Sequence, residues 1–312
     1  ESLSNRGQMR VDSLAGTSAS NRFENYGSIR VSGNIQMGQG DDLFENYGDL
    51  SASQRVEMGA GDDSFRFTGR ELNIDATYLV NGGQGDDSLL LNDIEISDAF
   101  NSDFDATQQL PSARQLIVAS DLADRFTGFE NLVQENGVFA YRGDFSKNFK
   151  FVTLRDGAFI ATESSPAIFD TLRLEKDATI YVGMINTTAD QIDQAPIVVT
   201  STDVSRGFIY EGGEFVISAD RQDDPVGDFF VIEGNVVGAE ALAENSRIVY
   251  DCDLENDECT QQEFSGLGPS NGISAALHDA FLEEGSLKLI VGVKTPEEEF
   301  CDLYPADPQC NS

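Results

Sequence analysis

Three phrases of the chain, "GQGDD" at 38–42, "GAGDD" at 59–63 and "GQGDD" at 83–87, set two glycines and two adjacent aspartates just ahead of an apolar residue. The chemistry open to such a set is the capture of a hard cation. Calcium takes about six to eight oxygen ligands from carboxylates, backbone carbonyls and water. Glycine allows the left-handed backbone that turns carbonyls inward, and the aspartates that follow supply charge. Gly38, Gly40, Asp41 and Asp42, then Gly59, Gly61, Asp62 and Asp63, then Gly83, Gly85, Asp86 and Asp87 are therefore the candidate calcium-binding residues. The plainer role for the same aspartates is to cap turns and face water.

A fixed step ties the phrases together. The apolar residue closing each is Phe44, Phe65 or Leu89, so the steps are 21 and then 24 residues. A degenerate copy, "SNRFENYGSIRV", carries Phe23 another 21 residues upstream but lacks the Gly-Asp-Asp element. A second phrase keeps the same rhythm: "NRGQM", "NYGSI" and "NYGDL" begin at Asn5, Asn25 and Asn46. This period is too long for the roughly nine-residue half-turn of a secreted β-roll and too short for a helical-pair repeat. It suits one coil of a parallel β-helix, with short strands separated by turns. Between the phrases, "SIRVSGNIQM" and "DLSASQRVEM" alternate apolar and polar residues in runs broken by Gly, Ser and Asn.

Stacked coils lie about 4.8 Å apart. Phe, Leu, Ile and Val would then form ladders inside, and Asn25 and Asn46 an amide ladder at one turn. Asp41, Asp62 and Asp86 would form one charged column and Asp42, Asp63 and Asp87 another, both outside. Carboxylates one coil apart repel by roughly 1 kcal/mol in water and several-fold more when partly buried. Calcium between coils would relieve that repulsion, and three copies leave room for two such sites.

The remaining chain divides by pattern. Residues 1–95 read as Gly-Asp-Asp coils, 96–133 as a polar excursion and re-entry, 134–250 as further coils, and 251–312 as a C-terminal cap or junction with a linker. In the last part, "SNGISAALHDAFLEEG" places Ile273, Ala276, Leu277, Ala280 and Phe281 at helical spacing, with Ser270 or Asn271 to cap it and Gly285 to end it. The predicted fold is all-β: a right-handed parallel β-helix with a short C-terminal helix and disulfide-closed tail loops. The cysteines are Cys252, Cys259, Cys301 and Cys310. Four cysteines allow three connectivities, and the close spacing within polar loops favours Cys252–Cys259 and Cys301–Cys310. Such bridges place the protein in an oxidising compartment.

Composition excludes several partners. A formal charge of −35 and a pI near 4.1 repel nucleic acid and anionic lipid. No run approaches the roughly 18 apolar residues of a membrane helix, so this segment does not insert in a membrane. Apolar stretches such as "RQLIVA" and "APIVVT" argue against disorder. Glu1 opens in mid-pattern, which reads as a processed piece of a longer protein.

"MGQGDDLF" resembles the calcium-binding nonapeptide of RTX proteins: Gly38, Gly40, Asp42 and Phe44 match, with Met37 in place of the first glycine. The third copy matches through Gly82, Gly83, Gly85, Asp87 and Leu89. At larger scale, "FENYGSI…GNIQMGQGDDLFENYGDL" and "RFTGFENLVQENGVFAYRGDF" resemble phrases of the passenger domains of bacterial type V autotransporters, and "GPSNGISAALHDAF" is similar to the helical stretch near their passenger–barrel junction. The resemblance implies a β-helix exported through the outer membrane by a C-terminal barrel and displayed on the cell surface. Its role would be structural or adhesive, toward an unnamed cell-surface or matrix ligand.

Other candidates read as weaker. The single histidine, His278, has no nucleophile signature near it and reads as solvent-facing. "RGD" at 142–144 is a possible adhesion tripeptide that equally well turns the chain. Asp251, Asp253 and Glu255 alternate like an EF-hand loop but lack its central glycine. The expectation is a non-enzymatic stalk. A polysaccharide-degrading β-helix and a self-assembling homo-oligomer are the alternatives.

Overall fold

The computed structural model describes residues 1–52, 55–68, 79–92, 115–162, 166–184, 195–220, 227–238, 241–242, 245–251, 262–265, 275–283 and 286–293. Alternation of apolar and polar residues produces short strands, and glycine or asparagine turns end them. The first coil holds Ser2–Asn5, Gln8–Val11 and Leu14–Ala15. The second repeats them as Arg22–Asn25, Ser28–Val31 and Ile35–Gln39, and the third as Leu43–Asn46, Asp49–Ala52 and Arg55–Ala60. Each strand pairs in parallel with its counterpart one coil on. The molecule is a parallel β-solenoid.

Because a parallel register preserves side-chain direction, like residues stack. Phe23 stands opposite Phe44, Phe44 opposite Phe65, Phe65 opposite Leu89, and the column runs on through Leu132, Val152, Leu172, Phe208 and Val236. Every member is buried. The rings of Phe23 and Phe44 lie 4.7 Å apart and those of Phe44 and Phe65 5.1 Å apart. Burying a phenylalanine contributes roughly 1.5–3 kcal/mol, so this column is the main cohesive element of the first coils.

The expected amide ladder is present. Asn5 Nδ2 donates to Asn25 Oδ1 at 2.9 Å, and Asn25 Nδ2 donates to Asn46 Oδ1 at 2.7 Å. Asn25 also donates to the Asp49 carbonyl at 2.9 Å. The ladder stops where Phe67 stands opposite Asn46. Two coils later Gln134 restores a buried amide, donating to the carbonyls of Gly137 and Ala158, each at 3.0 Å.

The strand column passes from Ser88–Asn92 to Asn131–Gln134, and described residues between them pair on other faces. Gln115–Val118 pairs with Val138–Asp144. Phe126–Thr127 pairs back on Val80–Asn81. The two long strands Phe151–Thr162 and Leu172–Met184 pair in parallel along both faces, with a register break between Leu154 and Asp156.

Residues 275–283, expected as part of a helix, form a strand. Ala275–Glu283 pairs antiparallel with Ser286–Val293, which pairs antiparallel with Gly227–Glu233. The apolar spacing fits a helix face in isolation, but a helix this short is marginal in water. The next segment, "SLKLIVGV", itself held by Gly227–Glu233, offers it a backbone partner instead. The pairing breaks register between Leu277 and Ala280, and His278 falls within the break. The described helical pieces are Ala119–Ala123, the 3-10 turn Phe145–Lys147 and residues 241–242 and 245. Cys252, Cys259, Cys301 and Cys310 lie outside the described residues, as do Asp253 and Glu255. Among the described residues no helix is long and apolar enough to cross a membrane.

Candidate functional site

The Gly-Asp-Asp phrases form one turn of successive coils, and stacking explains their glycines before any ligand is considered. Gly38, Gly59 and Gly83 stand opposite one another, with φ of 114°, 122° and 117°. A Cβ on Gly59 would lie 1.9 Å from the Gly38 carbonyl oxygen, and one on Gly83 would lie 2.0 Å from that of Gly59. Only glycine combines this backbone with so close an approach.

The adjacent aspartates separate into two columns of different character. Asp41, Asp62 and Asp86 are exposed, as expected. Asp62 N–H donates to Asp41 Oδ1 at 3.0 Å, Asp86 N–H donates to Asp62 Oδ1 at 2.9 Å, and Asn131 Nδ2 donates to Asp86 Oδ1 at 2.9 Å. The second column is not outside. Asp42, Asp63 and Asp87 are 2 %, 1 % and 0 % exposed. Their bonds run the other way along the stack. Asn21 N–H and Nδ2 donate to Asp42 Oδ1 at 2.6 and 2.9 Å, Asp42 N–H to Asp63 Oδ1 at 2.7 Å, and Asp63 N–H to Asp87 Oδ1 at 2.8 Å. Asp87 N–H ends the chain on Glu130 Oε2 at 2.8 Å. The reason for the correction is that neighbouring residues in a tight turn point apart, so two adjacent carboxylates cannot share one face.

Each inner aspartate keeps one oxygen to itself. Oδ2 of Asp42, Asp63 and Asp87 is buried and makes no hydrogen bond. The first turn shows what this position demands, because there the inner residue is Asn21. Its Nδ2 donates to the carbonyls of Met37 at 3.1 Å and Ala19 at 2.6 Å. A Cβ on Gly16 would lie 2.0 Å from Met37 O and 2.9 Å from Asn21 Nδ2. The register makes Gly82 the counterpart of Gly16 three coils on. A Cβ there would lie 2.1 Å from Gly128 O and 2.8 Å from Asp87 Oδ2. A carboxylate oxygen thus lies beside Gly82 where an amide nitrogen lies beside Gly16 in the first turn. A buried carboxylate oxygen without a hydrogen bond calls for a proton or a cation.

Electrostatics agrees. Burial, reinforced by Asp87, Asp42 and Asp41, pushes the Asp63 carboxyl up to about 7 despite the stabilising N–H of Asp42. Burial together with Glu130, Asp62 and Asp86 pushes Asp87 up to about 6. Among the described residues no three His, Cys, Asp or Glu side chains converge on one point. A cation here would therefore take carboxylate oxygens from successive coils, with turn carbonyls and water completing its shell.

Several neighbours carry weight that sequence reasoning did not assign them. Asn21 and Glu130 close the two ends of the inner column. Glu45 is buried on the outer face between Arg22, 2.5 Å away, and Arg66, while Tyr47 Oη donates to it at 3.1 Å. Arg66 continues to Glu135 at 2.8 Å, and Arg155 bridges Glu135 at 3.7 Å and Glu175 at 3.5 Å. The signal was available: Glu24, Glu45 and Arg66 occupy one position of the repeat. At "RGD", Asp144 accepts from Ser146 N–H at 3.2 Å and pairs with Lys147 at 2.9 Å, so its carboxylate serves the next turn. Comparison of the chain with known protein families, with curated proteins and with solved structures finds no match.

Proposed function

We propose that this chain is a rigid, extracellular β-solenoid stalk of a bacterial surface protein, of the autotransporter passenger kind, whose first coils are stiffened by calcium at the inner aspartates. The observation that carries the calcium reading is the row of three buried Oδ2 atoms without a hydrogen bond. Asp42, Asp63 and Asp87 would hold the ion, and bound calcium would satisfy acceptors where Asn21 satisfies them with a neutral amide donor. The outer aspartates would contribute only field. An extracellular setting supports the reading, since calcium modules there work at weak affinities of about 10⁻⁴–10⁻³ M.

The stalk reading draws on the continuous Phe23-to-Val236 column and on the paired glycines, which make the coils a stiff rod rather than a set of loops. Its work is structural or adhesive, toward a cell-surface or matrix ligand, and not enzymatic. The cysteine pairs Cys252–Cys259 and Cys301–Cys310 suit the same oxidising environment. Thermal unfolding near pH 7.5, with calcium and with EDTA, tests the central claim. The midpoint is expected to fall by several degrees on chelation, and an unchanged midpoint removes calcium from the account. Hydrolysis or lytic cleavage of any glycan by the purified chain would overturn the non-enzymatic reading.

A further inference from the structure

We infer that Asn136–Gly137 is a self-modifying turn, at which the chain deamidates itself and loosens its own stacking. The sequence holds three Asn-Gly pairs, at 81–82, 136–137 and 271–272, and the last lies outside the described residues. In such a pair the backbone nitrogen of glycine can attack the side-chain carbon of asparagine, because no Cβ shields it. The step balances without an oxidant or a metal. Gly137 N gives up its proton and bonds to Asn136 Cγ, the carboxamide nitrogen leaves as ammonia, and a succinimide ring remains. Water then opens the ring at either carbonyl, to aspartate or to an isoaspartyl link that carries the main chain through the side chain.

The structure separates the two described pairs. Asn136 is exposed in the turn between Asn131–Gln134 and Val138–Asp144, outside the strand ladder. Gly137 N–H donates to Asn136 Oδ1 at 2.6 Å, so Cγ, one bond further, is within reach of that nitrogen. Asn81 has the same neighbour in sequence and the opposite setting. It lies inside Leu79–Gln84, paired with Glu57 on one side and with Thr127 on the other. Its Nδ2 donates to Glu57 Oε2 at 2.8 Å, and its Oδ1 accepts from Thr127 Oγ1 at 3.4 Å. Ring closure there must first pull the side chain and the backbone out of the stack.

The register fixes the consequence at Asn136. Gln134 pairs with Leu154 and Val138 with Ala158, which sets Asn136 over Asp156, and Asp156 stands opposite Asp177. A new carboxylate at 136 joins that column and is repelled by it. An isoaspartyl link adds a carbon to the main chain between two strands whose pairing is already set.

Peptide mapping by mass spectrometry of the full chain, held folded in mildly alkaline buffer, tests this, with isoaspartyl methyltransferase labelling as the probe for the isomer. The peptide carrying Asn136 is expected to gain a single mass unit and to label about a hundredfold faster than the peptide carrying Asn81, the scale on which misplaced reacting groups lose rate. In urea the two are expected to react at similar rates. Equal rates in the folded chain overturn the inference, and so does a difference that persists unchanged in urea, since the fold would then not be its cause. Asn136→Gln, whose ring would be one atom larger, is expected to leave this peptide unmodified, and modification of it in the variant overturns the assignment to Asn136. Asn136→Asp mimics one product and is expected to lower the thermal midpoint by about 2 °C or more, whereas an unchanged midpoint overturns the loosening.

Discussion

The inner aspartates are the residues at which stability and chemistry meet. Without a bound metal, Asp63 moves from an ordinary value of 3.8 to about 7 on folding. A carboxyl whose value is raised on folding keeps its proton longer in the folded chain, so its contribution is complete below pH 3.8 and is lost as pH rises through about 7. Asp87, raised to about 6, acts in the same direction. Urea midpoints in EDTA are therefore expected to decline from about pH 4 to about pH 7, and Asp63→Asn to flatten that decline. An unaltered slope in the variant would show that other groups carry it. Glycine offers a second residue-scale contrast. Gly59→Ala meets the Gly38 carbonyl at 1.9 Å with φ at 122°, and is expected to cost about 3 kcal/mol or more in urea denaturation. A Cβ on Gly7, which holds the same place in its phrase as Gly27 and Gly48, meets nothing within 4 Å, so Gly7→Ala is expected to stay within about 0.5 kcal/mol.

At the scale of the element, each coil depends on rows that run across it. The amide ladder satisfies a buried polar position without charge, and Asn25 links its neighbours on both sides. Asn25→Ala breaks the ladder between Asn5 and Asn46, and a loss of roughly 2–3 kcal/mol is expected by chemical denaturation. The ion row on the outer face is more sensitive still. Glu45→Ala leaves Arg22 and the half-buried Arg66 without their shared partner, with an expected loss of about 3 kcal/mol, whereas Glu45→Gln keeps the shape and should lose less. The rows were partly legible in the chain. The Asn-x-Gly step announced the amide ladder, and Phe23, Phe44, Phe65 and Leu89 announced the core column. The ion row was overlooked because Glu24, Glu45 and Arg66 change sign within one repeat position, which a search for identity passes over.

For the whole molecule the dominant fact is a formal charge of −35 on 312 residues. Such a rod repels itself along its length. Raising ionic strength from about 0.1 M to about 1 M shortens the Debye length from roughly 10 Å to roughly 3 Å. In EDTA, sodium chloride over this range is expected to raise the thermal midpoint, and a midpoint insensitive to salt would mean that the outward carboxylates are too far apart to matter. The two ends of the rod also differ. Parallel stacking near the C-terminus gives way to antiparallel strands, Ser246–Asp251 with Gln262–Ser265 and Ala275–Glu283 with Ser286–Val293. Such strands interrupt the repeat that would otherwise present another open parallel edge.

What the chain determined by itself was the coil: a period near 21 with alternating apolar residues can bury its stripe only by stacking on copies of itself, and identical positions must then align. Local chemistry was enough because the forces that define a coil repeat with the sequence. The fate of two adjacent aspartates was not determined in this way. Which of them turned inward followed from the close approach of successive glycine turns, a contact between residues one coil apart. The C-terminal strand followed from a partner as well, since Ser286–Val293, anchored on Gly227–Glu233, supplied a ladder that a lone helix could not match. Tertiary structure decided these two features because in each the competing local states were close in energy, and only a neighbour across the stack separated them.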